Sequence, residues 1–355
     1  MKTIVFTGGG TAGHVTPNLA IIATLQQTGW DIHYLGSARG IEKEIIVAQG
    51  IPYYTIASGK LRRYWDWRNL VDPLYVLKGI YDAYRYIKQL QPAIVFSKGG
   101  FVSVPVVLAS RLCRIPVMIH ESDMTPGLAN RISIPFASRV CVTFPETLIH
   151  MKSQKAVHTG LPIRDQLFRG KAEQGWLHCG FTKRKPVIMV MGGSLGSQTI
   201  NRVVRACIQE LLPSFQIIHI CGKGNVDPGW IGQAGYQQFE YVSEELPDLY
   251  AMASLIVSRA GSTSIFECLA LQKPMLLIPL SLQASRGDQI LNAQSFQKAG
   301  FADLLLEEQL TSQRLIQRIH QLYEKRERVI HKMQSAASVH ATDQIIHWIE
   351  HHAQK

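Results

Sequence analysis

Nowhere does the 355-residue sequence hold an unbroken apolar run of about 18 residues or more, so no segment reads as a membrane-spanning helix. Residues 1 to 6 run straight into a glycine loop and leave no room for a signal peptide, so a cytosolic chain is expected. Cysteine is sparse: the six, at 113, 141, 179, 207, 221 and 268, form no Cys-x-x-Cys pair and face no histidine at zinc-finger spacing, and they read as reduced, buried small residues. Asp-x-Asp pairs are absent, and Glu42 with Glu44 reads as part of a solvated helix, so nothing resembles a Mg²⁺ cage and neither a metal nor another cofactor is expected. No helix-turn-helix pattern, RNP aromatic motif or zinc finger accompanies the basic balance, which argues against nucleic acid as a partner. Low-complexity tracts and blocks of like charge are also missing, so disorder is not the default.

What is present is an excess of 37 Lys and Arg over 26 Asp and Glu, a formal charge of +11 that suggests an anionic partner. The length suits two domains. Short apolar runs alternate with helix-length segments at Thr3 to Thr7, Ile32 to Leu35, Tyr53 to Ala57, Ala93 to Ser97, Pro116 to His120 and Arg139 to Phe144. After the turn-rich Thr159-Gly160-Leu161-Pro162, a second series runs through Val187 to Met191, Gln216 to Cys221, Phe239 to Val242, Leu255 to Ser258, Met275 to Pro279 and Ala302 to Leu306. The expectation is an α/β chain of two Rossmann-like parallel-sheet domains facing across a cleft, 1–160 and 161–355, with the last helix able to pack back on the first domain.

Each half opens with a strand that empties into a glycine loop: Gly8-Gly9-Gly10-Thr11-Ala12-Gly13-His14, and Gly192-Gly193-Ser194-Leu195-Gly196-Ser197. Glycines let backbone approach a ligand closely, and the following helix offers N–H groups and positive dipole to an anion. Gly8, Gly10 and Gly13 satisfy G-x-G-x-x-G, but the second strand ends Tyr34-Leu35-Gly36-Ser37 without the acid that holds a dinucleotide ribose. No G-K-[ST] follows either loop, which excludes a Walker site. His14, expected just before an N-cap at Thr16 and Pro17, sits at a positive helix end that favours neutral imidazole, so it is either a general base or a histidine that fills the loop. From Arg259 to Pro274 a glycine-serine-threonine turn leads into an apolar helix bearing Glu267, which shares a face with Thr263. That combination fits a nucleotide diphosphate at the helix end with its ribose on the carboxylate, and a solvated Glu267 is the alternative. Arg164 and Arg259 are the cations expected to meet leaving-group charge.

The segments GGTAGHVTP (9–17), SKGGFVSVP (97–105), HESDMTPGLAN (120–130), GGSLGSQTIN (192–201), SRAGSTSIFE (258–267) and SRGDQILNA (285–293) together resemble the MurG family nearly end to end. The resemblance implies a GT-B fold and an inverting, metal-independent transfer of N-acetylglucosamine from UDP-N-acetylglucosamine to the C4 hydroxyl of the N-acetylmuramyl unit of lipid I. It places the work at the cytoplasmic face of the cell membrane, with other wall-synthesis proteins as possible partners. Matched position by position, Thr11, Ala12, Gly13, Arg164, Ser194, Ser243, Gln289 and Ser262, Thr263, Ser264, Ile265, Phe266 and Glu267 correspond to UDP-sugar contacts. Asn130 and Asp123 correspond to further polar substrate positions. His14 and Glu121 fall at the catalytic places, and Gly99, Gly100, Phe101 and His120 on the acceptor side. Ala12 stands where another version of the family has glycine, and Asp123 where it has asparagine; an acid there accepts but does not donate.

Lys60 to Lys78 (KLRRYWDWRNLVDPLYVLK) interleaves aromatic and basic residues, a pattern suited to an anionic membrane surface. Its alternative is a segment packed into the first domain. Rival functions on the same scaffold are a UDP-N-acetylglucosamine 2-epimerase, a transferase with another glycolipid acceptor, and a non-catalytic UDP-sugar-binding scaffold.

Overall fold

The structure is a computed structural model that describes residues 1–59, 72–151, 154–193, 196–336 and 340–354. It divides into two units, Met1–Pro162 with Val339–Lys355, and Ile163–Ser338.

In the first unit seven strands, β1 (Thr3–Thr7), β2 (Asp31–Gly36), β3 (Tyr53–Thr55), β4 (Ile94–Ser97), β5 (Val117–Glu121), β6 (Arg139–Val142) and β7 (Ala156–His158), form one sheet in the order β3-β2-β1-β4-β5-β6-β7. Every pairing is parallel, with Val5 of β1 set between His33 of β2 and Val95 of β4. Parallel strands need crossover helices, and helices on both faces leave no side of the sheet wet. Successive side chains accordingly serve opposite cores. Ile4 and Phe6 join Ile21, Ile22 and Leu25 of the helix Thr16–Gln27, while Val5, Leu35 and Val95 join Ala83, Ile87, Val106 and Val107. Each fully buried aliphatic side chain contributes about 1.5–3 kcal/mol. The C-terminal helix Ala341–His352 lays Ile345, Ile346 and Ile349 into the first of these cores, and Arg139 stacks at 3.8 Å on its Trp348.

The second unit repeats the plan with β8 (Val187–Met191), β9 (Gln216–Ile220), β10 (Tyr236–Phe239), β11 (Ala253–Ser258), β12 (Met275–Leu277) and β13 (Ala302–Leu304), all parallel in the order β10-β9-β8-β11-β12-β13. The helix Gln198–Leu211 covers it through Ile200, Val203, Val204, Cys207, Ile208 and Leu211, a stripe of helical period. Ser197 caps that helix by accepting the Ile200 N–H at 3.3 Å.

Three sequence expectations differ from the structure. Strand β7 is only Ala-Val-His, too short and mixed to stand out as an apolar run, and it forms because β6 offers it an edge. Strand β10 lies three residues before the expected Phe239 to Val242, since its Tyr-Gln-Gln-Phe sequence has only its ends apolar. Thr16 is the first helical residue and not the N-cap: a 3₁₀ turn over Ala12–His14 leads almost directly into the helix, with Val15 at the cap position and no side-chain cap.

Both sheets reverse strand order once, between β1 and β4 and between β8 and β11, where open parallel sheets receive ligands. At the first reversal Gly100 has φ +86°, and a Cβ there would overlap the Gly9 carbonyl. Gly100→Ala is therefore expected to lower stability by about 1–3 kcal/mol, from left-handed strain plus overlap, as read from the urea midpoint of the intact chain.

Candidate active site

At the carboxyl ends of the second unit's strands lies a cavity of about 650 Å³, within the range of small-ligand sites. Its glycine loop contributes Gly192, Gly193 and Gly196, and any side chain at Gly196, held at φ +77°, would collide with the Cys221 carbonyl. The helix Ser262–Ala270 starts beside it after Gly261, and its first helical hydrogen bond is Ile265 N–H to Gly261 at 3.1 Å. A helix N-terminus carries positive partial charge on its first-turn amides, which suits this end, Ser262 to Ser264, to an anion.

One turn further in, Glu267 is buried in the cavity wall, with Arg164 donating to its carboxylate at 3.2 Å. Burial raises its pKa, while Arg164 and the Tyr250 hydroxyl oppose that rise. It is not the solvated helix residue that its sequence position allows. Ser264 and Gln289 line the same cavity, with Gln289 Oε1 accepting the Leu280 N–H at 3.1 Å. Ser243 is exposed and follows Val242, a lining residue. Ile265 is fully buried and Phe266 packs edge-on against Phe296 at 5.1 Å, so these two side chains serve the core. Ser194 lies outside the described residues.

Arg259 also lines the cavity. Its Nη1 donates to the Ile278 and Pro279 carbonyls at 3.1 and 3.2 Å, and its Nη2 to Ser197 Oγ at 2.7 Å and to Glu307 at 2.5 Å. A guanidinium so committed ties together the loops after β8, β11, β12 and β13 at the cavity wall, where its charge is answered by Glu307.

The first unit's site is built differently. The His14 ring, half-buried, places Nδ1 3.0 Å from the Gly9 carbonyl and 3.2 Å from Thr11 Oγ1. Donation from Nδ1 to the carbonyl makes Nε2 the lone-pair nitrogen, the tautomer of a general base. Gly13 closes the same turn ahead of His14, with Ala12 before it. Gly99 and Gly100, at φ +92° and +86°, bring a second loop against the first, and Gly9 N–H donates to Gly99 at 3.3 Å. The Phe101 ring lies beside Gly10.

His120 and Glu121 are buried within this unit. His120 Nε2 donates to the Gly160 carbonyl at 2.9 Å and Nδ1 accepts from Lys98 at 2.7 Å. Burial, then the Lys98 charge, holds its pKa well below 6.5. Glu121 accepts from the Asp123 and Gly127 amides at 3.0 Å and from Asn130 Nδ2 at 2.8 Å, so it shapes the loop from Glu121 to Asn130. Asp123 is half-buried on that loop.

Sequence reasoning passed over Lys98, Glu307 and Tyr250, and misread Glu42. Lys98 is buried, bonded to His120 and Ser122, and brought down to about 7 by desolvation. The lysine in Ser97-Lys98-Gly99-Gly100, directly after a strand, was its visible signal. Glu42 is fully buried against the first glycine loop, so the solvated-helix reading of it is wrong; the helix Ile41–Ala48 turns its first carboxylate inward.

The two units, each with a glycine loop and a helix at the carboxyl edge of a parallel sheet, define a GT-B glycosyltransferase. Residues 4–142 match the glycosyltransferase family 28 N-terminal domain, and residues 187–348 its C-terminal domain. A relative from Geobacillus thermodenitrificans, named UDP-N-acetylglucosamine–N-acetylmuramyl-(pentapeptide) pyrophosphoryl-undecaprenol N-acetylglucosamine transferase, is 58% identical over 95% of each chain. One of the same name from Clostridium tetani is 53% identical over 98% of each. The crystal structure of Acinetobacter baumannii MurG superposes with a TM-score of 0.78 at 28% identity over 99% of each chain. A UDP-GlcNAc 2-epimerase from Neisseria meningitidis, at 15% identity and TM-score 0.66 over 98% of this chain and 99% of its own, shares the fold alone. The chain belongs to glycosyltransferase family 28 and, within it, to the MurG family.

The two units each bury a neutral histidine, His120 well below 6.5 and His219 at about 3, both by desolvation first. Between pH 6.5 and those folded values the unfolded chain binds protons that the native chain refuses, so stability is full above that window and falls as pH drops through it. Each histidine adds up to about 1.4 kcal/mol of loss per pH unit. Urea midpoints from pH 7.5 to 5 are expected to fall less steeply in His120→Gln and His219→Gln, whose amides retain a donor and an acceptor.

Proposed function

We propose that the chain transfers N-acetylglucosamine from UDP-N-acetylglucosamine to the C4 hydroxyl of the N-acetylmuramyl unit of undecaprenyl-linked lipid I, with inversion, giving lipid II. The observation that carries the reading is the second unit's cavity, where a helix N-terminus and a buried carboxylate one turn inside it stand at the spacing of a diphosphate and its ribose, in a chain of this family. On this reading the amides of Ser262 to Ser264 meet the diphosphate, Glu267 accepts from the ribose hydroxyls, and Ser264 and Gln289 line the rest of the donor site. Arg259, which lines that cavity, and Arg164, bonded to Glu267, are the cations on hand for the leaving charge. The first unit takes the acceptor, and His14 Nε2 removes the proton of the attacking hydroxyl as the glycosidic bond forms and UDP departs.

Turnover with UDP-N-acetylglucosamine and a lipid I analogue tests the reaction, and release of epimerised free sugar in place of a disaccharide would overturn it. In that assay His14→Ala is expected to lose roughly a hundredfold or more in kcat, with a loss under about tenfold moving the base elsewhere. Glu267→Ala should weaken UDP binding at least tenfold by calorimetry, since a ribose then loses a charged hydrogen-bond acceptor worth about 1.5–3 kcal/mol.

The acceptor's lipid tail requires a protein at the cytoplasmic face of the membrane, and no helix among the described residues is long and apolar enough to cross one. We assign peripheral contact to the segment from Lys60 to Lys78. Residues 60–71 of it lie outside the described residues, and the helix Asp72–Leu90 exposes Leu74, Tyr75, Leu77 and Tyr81 close to Lys78 and Arg85. Apolar side chains beside cations suit a headgroup layer, each cation contributing about 1 kcal/mol near an anionic surface. The protein should sediment with phosphatidylglycerol vesicles, less so at high salt, and Leu74→Ser with Leu77→Ser should reduce this while turnover on a short-chain soluble acceptor stays unchanged. Binding indifferent to lipid charge and to that double substitution would refute the assignment.

A further inference from the structure

Among the buried acids that the mechanism leaves unused, Glu42 stands against the loop that holds His14. Glu42, with no exposed surface, turns its carboxylate into the first glycine loop, where Oε2 accepts the Gly10 N–H at 3.2 Å and Oε1 accepts the Ser37 N–H at 3.3 Å together with the Ser37 hydroxyl. A Cβ on Gly9 would sit 2.5–2.9 Å from that carboxyl group, so loop and acid fit each other with no room to spare. The N–H of Gly10 belongs to the same peptide unit as the carbonyl of Gly9, and that carbonyl is the oxygen 3.0 Å from His14 Nδ1. In a trans peptide the N–H and C=O point in opposite directions, so Glu42 and His14 grip one rigid plane from its two edges.

We propose that Glu42 is a positioning residue for His14, acting through the single peptide unit that joins Gly9 to Gly10; this rests on the reading of His14 as the base. Two effects follow from the geometry. Anchoring the N–H fixes the plane's rotation, and with it the direction in which the carbonyl meets the imidazole, so the ring is held in one orientation. A carboxylate on the N–H also polarises the amide, which makes its carbonyl a stronger acceptor and holds the Nδ1–H tautomer. Elsewhere the peptide has little freedom to compensate, since Gly9 N–H is held by the Gly99 carbonyl and Gly100 packs on the Gly9 carbonyl. The same carboxylate takes a loop amide that an anionic ligand would otherwise use. The second unit differs here: the loop after β9 opens Cys221-Gly222-Lys223-Gly224, and its acid, Asp227, is spent on Arg205 and the Gly229 amide.

The test is a double-mutant cycle on the full chain, with His14→Ala, Glu42→Gln and the pair, read as kcat on a soluble acceptor, KM for UDP-N-acetylglucosamine, UDP affinity, and the ¹⁵N imidazole spectrum of His14. Glu42→Gln is expected to lower kcat by roughly ten- to a hundredfold, the scale of a misplaced catalytic group. KM for the donor and UDP affinity should stay within about twofold of the parent, because the donor cavity is built wholly from the second unit. On the His14→Ala background the same change should cost under about twofold, and in the single variant the His14 spectrum should pass from one Nδ1–H tautomer to a mixture. Should Glu42→Gln fail to fold, Glu42→Asp, which retracts the carboxylate by one methylene, carries the same cycle. Full additivity of the two losses, or a His14 tautomer unchanged in a folded Glu42 variant, overturns the proposal. A His14→Ala enzyme that keeps its kcat overturns the base assignment instead, and the imidazole spectrum still decides whether Glu42 holds the ring.

Discussion

Burial of both faces of both parallel sheets is the constraint on which the remaining structure rests. A strand such as Val187–Met191 has no solvent side on which to carry polar chemistry, and its neighbours Ile217, Ile218, Leu255 and Ile256 are as fully enclosed. Polar and charged side chains are therefore driven to the strand ends, where helix amides and loop carbonyls can answer them. Lys98, Glu121, Arg259 and Glu307 all stand at or beyond carboxyl ends of strands, and each is matched by protein partners. Unmatched, any of them would cost several kcal/mol. Fold and site are thus one problem: the sheet is stable because the loops absorb the polarity, and the loops are ordered because the sheet gives them fixed ends.

The two units start from the same loop and put it to opposite uses. In the second, glycines 192, 193 and 196 border an open cavity. In the first, the corresponding amides are taken by the protein itself: Gly10 by Glu42, Gly9 by the Gly99 carbonyl. A glycine loop supplies amides and close approach, and what approaches is set by the next residues along the chain. Helix Ile41–Ala48 begins with a glutamate that reaches back into the loop, whereas the turn after β9 offers only Gly222, Lys223 and Gly224.

Elements with strong apolar runs were legible in the sequence because packing enforces the same pattern that reveals it: Thr3–Thr7 and Val187–Met191 agree to the residue. β7 and β10 were not, since three or four mixed residues form a strand only when a neighbouring edge accepts them. Site legibility followed a similar divide. The Gly261 to Glu267 turn and helix could be read because backbone spacing alone dictates what a helix end and a carboxylate a turn later present to a ligand. The part of Arg259 could not, because its partners Ser197, Ile278 and Glu307 come from three distant segments that only the sheet order brings together. Glu42 misled for the same reason: a first-turn acid on an amphipathic helix looks solvated until the adjacent loop is in place. Among the described cysteines, five are buried as their apolar neighbours suggested, while Cys113, expected to be buried with them, is half-buried.

The ion pair of Glu267 with Arg164 explains why the second cavity would select a nucleoside diphosphate over either of its parts. Both side chains are largely sheltered from water, with the carboxylate 9% and the guanidinium 26% exposed, so removing one partner's bond without replacing it leaves a poorly solvated charge. A free nucleoside could bring hydroxyls to Glu267 but would offer Arg164 nothing if it displaced the pair. Free phosphate could draw Arg164 away but would strand the carboxylate, whose pKa burial already raises. A uridine diphosphate supplies both replacements at once, donors for the acid and negative charge for the cation, so the cost of opening the pair is offset only when sugar ring and diphosphate arrive in one molecule. On the proposed reading, selectivity comes from exchanging the Glu267–Arg164 bond for bonds to the ligand, and the same exchange frees a cation at the moment a leaving diphosphate needs one.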